Sequence, residues 1–235
     1  MKRLVALGAV LVLALVGCTD KKDSGGGAGQ TDDAVAQLAA AKKAIDEAAS
    51  VHIVLTGRDL PDSAQTLASG DGVATHAPAF KGKLTIRTGG APIDSEVVAV
   101  DKKVYAKLPF TGKFVELTAD QLTGFGAPDP AILLDPNKGL TSLLPALKDP
   151  KVKGDTRDGA KVLTEITGSV PGKSLQGIFP KAPADQDFPS SFKLDKETKQ
   201  LVAATISGPF YDGANSSYDV TFDKYGEQVT ITKPQ

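Results

Sequence analysis

The chain has 235 residues, with 27 Lys and Arg against 28 Asp and Glu, one cysteine, two histidines and no tryptophan. Such a near-neutral balance leaves no electrostatic footprint for nucleic acid and no polybasic patch for anionic headgroups. One thiol excludes an internal disulfide framework, and two histidines leave the chain short of the side chains that most hydrolases use.

In chain order, the first pattern is Lys2-Arg3 followed by an apolar run over residues 4–16 that ends in Leu15-Val16-Gly17-Cys18. A basic start, a short apolar stretch and a small residue before a cut point make a secretory signal. The run is too short for a membrane span, which needs about 20 residues. Leu15-Val16-Gly17-Cys18 resembles the lipobox of bacterial lipoproteins. That resemblance implies cleavage before Cys18, acylation of Cys18, and an extracytoplasmic protein anchored to the cell membrane by an N-terminal lipid. The alternative is an ordinary secretory signal with an incidental cysteine. Two or three acyl chains anchor stably where one is marginal. Residues 1–17 thus read as signal peptide, 18–31 as a lipidated flexible linker around Gly25-Gly26-Gly27-Ala28-Gly29, and 32–235 as a single domain.

Residues 32–50 are predicted helical. Thr31 or Asp32 can cap them, alanine is dense, and Val35, Leu38, Ala41, Ile45 and Ala48 or Ala49 share a narrow face. Strands are expected at 51–56, 73–75, 80–87, 93–100, 103–108 and 113–117, with 58–72 turn-rich. The middle then changes character: Thr118 opens a capping box, Asp129-Pro130 starts a second short turn, and Leu140, Leu143, Leu144 and Leu147 fall at helical spacing around Pro145. One helical turn is expected at 174–178, and strands return at 161–167, 191–195, 200–207, 216–222 and 228–232.

Strand runs joined by short turns predict an α+β fold built on a meandering antiparallel sheet of nine or ten strands. One face of such a sheet is apolar. Two or three short helices are a thin cover for it, so the sheet must curl, or a partner or ligand must close the rest. An ordinary closed core has the same signature.

Chemical motifs are sparse. Gly124-Phe125-Gly126 lacks the third glycine of a dinucleotide loop, and no Gly-x-Ser-x-Gly elbow is present. His52 reads as a polar-face strand residue and His76 as a loop residue. Asp71, Asp94 and Glu96 read as solvated carboxylates. The expectation is a non-enzymatic protein with no metal and no cofactor.

Several segments together resemble the LppX/LprA/LprF/LprG family of mycobacterial-type actinobacterial lipoproteins. They are Ala49-Ser50-Val51-His52-Ile53-Val54-Leu55-Thr56, Lys83-Leu84-Thr85-Ile86 with Gly89-Gly90, Val104-Tyr105-Ala106, Asp135-Pro136-Asn137-Lys138-Gly139-Leu140, and the tail from Tyr225 to Pro234. The resemblance implies a LolA/LolB-like fold: a strongly curved antiparallel half-barrel with short helices over its concave face and an apolar cavity between. It implies a carrier or chaperone for multi-acylated lipids or glycolipids, such as phosphatidylinositol mannosides or triacylglycerol, moving them to the outer envelope. A major-facilitator transporter is an implied partner, and a monomer is expected. Phe80, Leu84, Ile86, Val98, Val100, Val104, Leu140, Leu143, Leu144 and Leu147 are the candidate cavity residues. In residues 93–100 both phases are partly apolar, so Val97 and Ala99 compete with Val98 and Val100; a one-residue slip exchanges the faces. The competing function is an envelope adaptor that binds a membrane protein and has no lipid cavity.

Overall fold

The computed structural model describes residues 26–107, 109, 111–211 and 214–235, with side chains from residue 31 onward. The signal sequence and Cys18 lie outside the described residues.

Helix α1 (Gly26–Asp46) leads into β1 (Ser50–Arg58), β2 (Thr66–Thr75), β3 (Ala79–Thr88), β4 (Ala91–Val100), β5 (Lys103–Lys107) and β6 (Phe114–Leu117). An insert follows, with α2 (Ala119–Gly124), 3-10 turns at Pro130–Ile132 and Leu140–Ser142, and α3 (Leu143–Ala146). Then come β7 (Lys148–Asp158), β8 (Lys161–Pro171), α4 (Gly172–Leu175), β9 (Asp187–Asp195), β10 (Leu201–Tyr211) and β11 (Ala214–Asp223).

The strands form one open antiparallel sheet in the order β6-β5-β4-β3-β2-β1-β11-β10-β9-β8-β7. It is an α+β half-barrel made of two meanders, β1–β6 and β7–β11, that meet at β1–β11. β6 and β7 are therefore opposite edges, and the insert between them has to cross the sheet. At about 4.8 Å per strand the flat crossing is roughly 48 Å. The 30 residues from 118 to 147 would reach about 100 Å if extended, so there is slack for the short helical turns seen there.

Chain reversals follow local chemistry. Gly89 and Gly90 have φ of 56° and 78°, and Asp101 and Lys102 have 54° and 61°. These are the paired positive values of a type I′ hairpin turn, which matches strand twist. Thr118 and Gln121 cap α2 reciprocally, as their spacing predicts.

Several boundaries differ from the sequence reading. α1 starts at Gly26, so the last residues of the expected linker are helical; once a helix is docked, each further residue adds a bond without a new nucleus. It stops at Asp46, because Ser50 is already in β1. Its buried face is Ala34, Leu38, Ala41 and Ile45, while Val35 is 53% exposed. The sheet has eleven strands, and β7 is not among the expected ones. Its exposed charges, Pro150 and two register shifts are what protect an edge strand. Residues 228–232, expected as a strand, form none.

Candidate functional site

Residues opposed in an antiparallel ladder share a face, so the registers draw the concave surface row by row. One row reads Val51, Ala74, Phe80, Ala99, Val104. The next reads Ile53, Gly72, Gly82, Val97, Ala106. A third reads Leu55, Gly70, Leu84, Ser95. Apart from Ser95, these rows are apolar, and they are nearly bare of side chains where β2 and β3 carry glycine.

The insert roofs these rows. Pro128, Pro130, Leu133 and Leu140 from the insert, with Ile178, face Ile53, Leu55, Leu67, Phe80 and Leu84 across an apolar seam. The enclosed space is only about 40 Å³. Ligand sites usually hold about 300–1,000 Å³, so sheet and roof are closed on each other. Among the described residues, the hydrogen bonds of 118–147 run within that segment. Examples are Gly139 N–H to Asp135 O and Leu140 N–H to Leu133 O, both spanning turns of the insert. Contact with the sheet is by apolar side chains, which is non-directional. The roof can shift without breaking a backbone bond to a strand.

The other meander is filled differently. Phe179, Phe188, Phe210 and Tyr218 form a chain of ring contacts with centroids 4.5–5.0 Å apart. The Tyr218 hydroxyl donates to Leu67 O at 2.9 Å and meets the Tyr211 hydroxyl. Burial pushes both phenol pKa values up, so both stay protonated.

Of the candidate cavity residues, Phe80, Leu84 and Leu140 are brought together at the seam. Ile86 packs on the same core from its rim, and Val104, Leu143, Leu144 and Leu147 are buried within it, away from the seam. Val98 and Val100 are corrections. Val98 lies in the row His52, Val73, Lys81, Val98, Tyr105, which is the outer face. Val97 and Ala99 face the core instead. Val98 is buried all the same, because the tail after β11 runs over it: Thr230, Thr232 and Lys233 share an outer hollow with Val98 and Lys81. Val100 borders a second hollow beside Val229 and Ile231. Ser50 fixes the start of this tail, donating from Oγ to Glu227 O and accepting from Gly226 N–H. Lys233 Nζ lies 5.7 Å from the Tyr105 ring centroid.

Sequence reasoning did not name Ile53, Leu55, Leu67, Pro128, Pro130 or Leu133 for the site. Ile53 and Leu55 could have been found from the alternation in β1 with His52 on the polar side. The proline positions carried no such signal.

The titratable groups stand outside. His52 bridges two carboxylates on the outer face, with Nδ1 2.6 Å from Asp223 and Nε2 2.9 Å from Asp71. Burial opposes the charged ring, but the two hydrogen bonds outweigh it and raise its pKa above the usual value. His76 Nε2 meets Ile45 O. Asp94 accepts from Thr85, and Glu96 pairs with Lys107. Among the described residues, no group of three His, Cys, Asp or Glu is placed to hold a metal, and no helix is long and apolar enough to cross a membrane.

The sequence model of the LppX_LprAFG lipoprotein family matches residues 33–231. The lipoarabinomannan carrier protein LprG of Mycobacterium tuberculosis is 31% identical, over 99% of this chain and 95% of that protein. Lipoprotein LprA of the same organism is 28% identical, over 95% and 93%. Among solved structures, LprF from Mycobacterium bovis superposes with a TM-score of 0.72 at 21% identity, covering 87% of this chain and 98% of LprF. LppX of M. tuberculosis gives 0.63 at 21% identity, covering 86% and 99%. These two likenesses establish a shared fold.

Proposed function

The chain belongs to the LppX_LprAFG lipoprotein family, and from that membership we propose that it is an envelope lipid carrier. In this reading residues 1–17 are removed and Cys18 is acylated, holding the domain on the outer side of the cell membrane. The domain takes a multi-acylated lipid or glycolipid between the β1–β4 concave face and the insert, and delivers it toward the outer envelope. It works as a monomer without metal or cofactor, and a major-facilitator transporter is the partner class for hand-over.

The observation that carries the reading is a broad apolar face covered by a roof that, among the described residues, makes no hydrogen bond to the sheet. Each methylene moved from water into such a site gains about 0.8 kcal/mol. A chain of roughly sixteen carbons is then worth about 12 kcal/mol, on the scale of a whole domain's stability. A chain held there is spared that cost while the lipid is away from the membrane. Transfer of this kind needs no catalytic group. The name of the LprG relative, a lipoarabinomannan carrier, supports the same class of cargo.

A second reading is favoured by the closed seam. With about 40 Å³ inside, the domain has the form of an adaptor that binds a membrane protein through its surface. Organic extraction of the purified, non-acylated protein followed by mass spectrometry separates the two. Stoichiometric multi-acyl lipid is expected for the carrier. A lipid-free protein that takes up none from mixed micelles and still captures a membrane protein would favour the adaptor.

A further inference from the structure

The structure assigns an acyl-chain berth to the trough made by Gly72 and Gly82, and we propose that the Phe80 ring occupies it in place of lipid. The inference rests on the carrier reading and names the first site that a chain fills.

Gly72 and Gly82 are directly opposed across the β2–β3 ladder, with Ile53 and Val97 flanking them in the same row. Two strands in the middle of an apolar face therefore carry no side chain, while both neighbours carry branched ones. Phe80 belongs to the adjacent row, between Ala74 and Ala99. Its ring leans out of that row and onto the glycines. A Cβ at Gly72 would fall 2.7 Å from Cε2 of the ring, and one at Gly82 would fall 2.7 Å from Cζ. The ring is 2% exposed and lines the seam beneath Pro130 and Leu133.

Such a gap is within reach of an aromatic ring two residues along the same strand or diagonal across the ladder. Here the filler comes from next door, on a side chain with two rotatable bonds and small neighbours on both sides. A change between staggered χ1 wells lifts the ring off the glycines. What remains is a slot floored by backbone, walled by Ile53 and Val97 and roofed by the insert. Its chemistry suits a saturated acyl chain: apolar walls and ladder-paired backbone amides. Methylenes of the chain replace the apolar contacts that the ring gives up.

Substituting the glycines would also drive a Cβ against strand backbone, since one at Gly72 lies 2.7 Å from Lys81 O. The test therefore acts on the ring. The full chain is labelled with 4-fluorophenylalanine, and the Phe80 fluorine resonance is assigned by its loss in Phe80→Leu. Dipalmitoyl phosphatidylinositol in mixed micelles is then added, with uptake measured separately by extraction. The expected result is a shift of the Phe80 resonance in step with uptake, unmoved Phe188 and Phe210 resonances, and several-fold faster uptake by Phe80→Leu. Uptake by the unsubstituted protein with a static Phe80 resonance and an unchanged Phe80→Leu rate overturns the berth and leaves the carrier reading standing. No uptake by the unsubstituted protein overturns both.

Discussion

The two meanders share one sheet and fill its concave side by opposite means. Over β8–β11, aromatic rings from Phe179, Phe188, Phe210 and Tyr218 interlock and leave no room. Over β1–β4, the surface is aliphatic side chains and glycine, with Phe80 laid across the bare part and a roof whose hydrogen bonds, among the described residues, stay within it. Ring–ring contacts have preferred geometries and resist repacking, whereas aliphatic contacts slide. One half is a fixed wall, and in the carrier reading the other is a surface that can exchange what covers it. A carrier needs both, because a site that opens must be mounted on something that does not.

The contrast is broken most severely at the wall. Phe210→Ala should cost about 3–5 kcal/mol, the usual toll of an aromatic truncation in a filled core. Phe80→Ala should cost closer to 2 kcal/mol, since the roof is free to settle into the gap. Denaturant melts of both variants measure the difference, and equal losses would dissolve the distinction between the halves. Next comes Leu84→Trp. Leu84 lies over Gly70, with Cδ2 3.0 Å from where a Cβ would sit. The larger side chain should block lipid uptake at a stability cost of about 1–3 kcal/mol, read by extraction and a melt on one sample. Full uptake would mean that cargo lies elsewhere.

Two smaller effects sharpen the junction. Tyr218→Phe removes the hydroxyl that joins β11 to Leu67 of β2 and takes the Tyr218 partner from the Tyr211 hydroxyl. A loss of about 1–2 kcal/mol is expected in a denaturant melt. His52→Gln removes the outer clamp across β11, β1 and β2. With a folded pKa above the ordinary value of about 6.5, the clamp stabilises fully below that value and fades as pH rises through the folded pKa. The stability gap between the parent and His52→Gln, at most about 1 kcal/mol, should therefore narrow on going from mildly acidic to alkaline pH.

Much of this architecture is legible in the sequence, and the misses have physical causes. The alternation in β1 and the insert's capping box, Asp129-Pro130 pair and leucine spacing all read directly. β2 reads mostly as turn because Gly70 and Gly72, the second of which makes half of the trough, are also the residues that punctuate loops. The phase of β4 was lost because both of its faces are covered. Val97 and Ala99 lie under the roof, Val98 lies under the tail, and burial on both sides erases alternation. The tail itself alternates like a strand, yet it is laid over the outer face without joining the ladder. Phe80, Leu84 and Leu140 face the seam, as one apolar phase in their strand or turn suggests.

The meeting of β1 and β11 also sets the order in which the molecule can fold. His52 and Asp223 are ladder partners 171 residues apart, while the other neighbouring strands are consecutive in the chain. Each meander can zip from local hairpins, but the central ladder must wait for the closure of nearly the whole chain, the most entropically demanding contact of its kind here. Until then β1 and β11 are open edges beside oily faces, the state most exposed to misassociation. The insert joins the far edges of the two meanders, so its final docking requires both to be in place. Refolding should therefore show early hairpin formation and a late step that brings in the central ladder and the roof together.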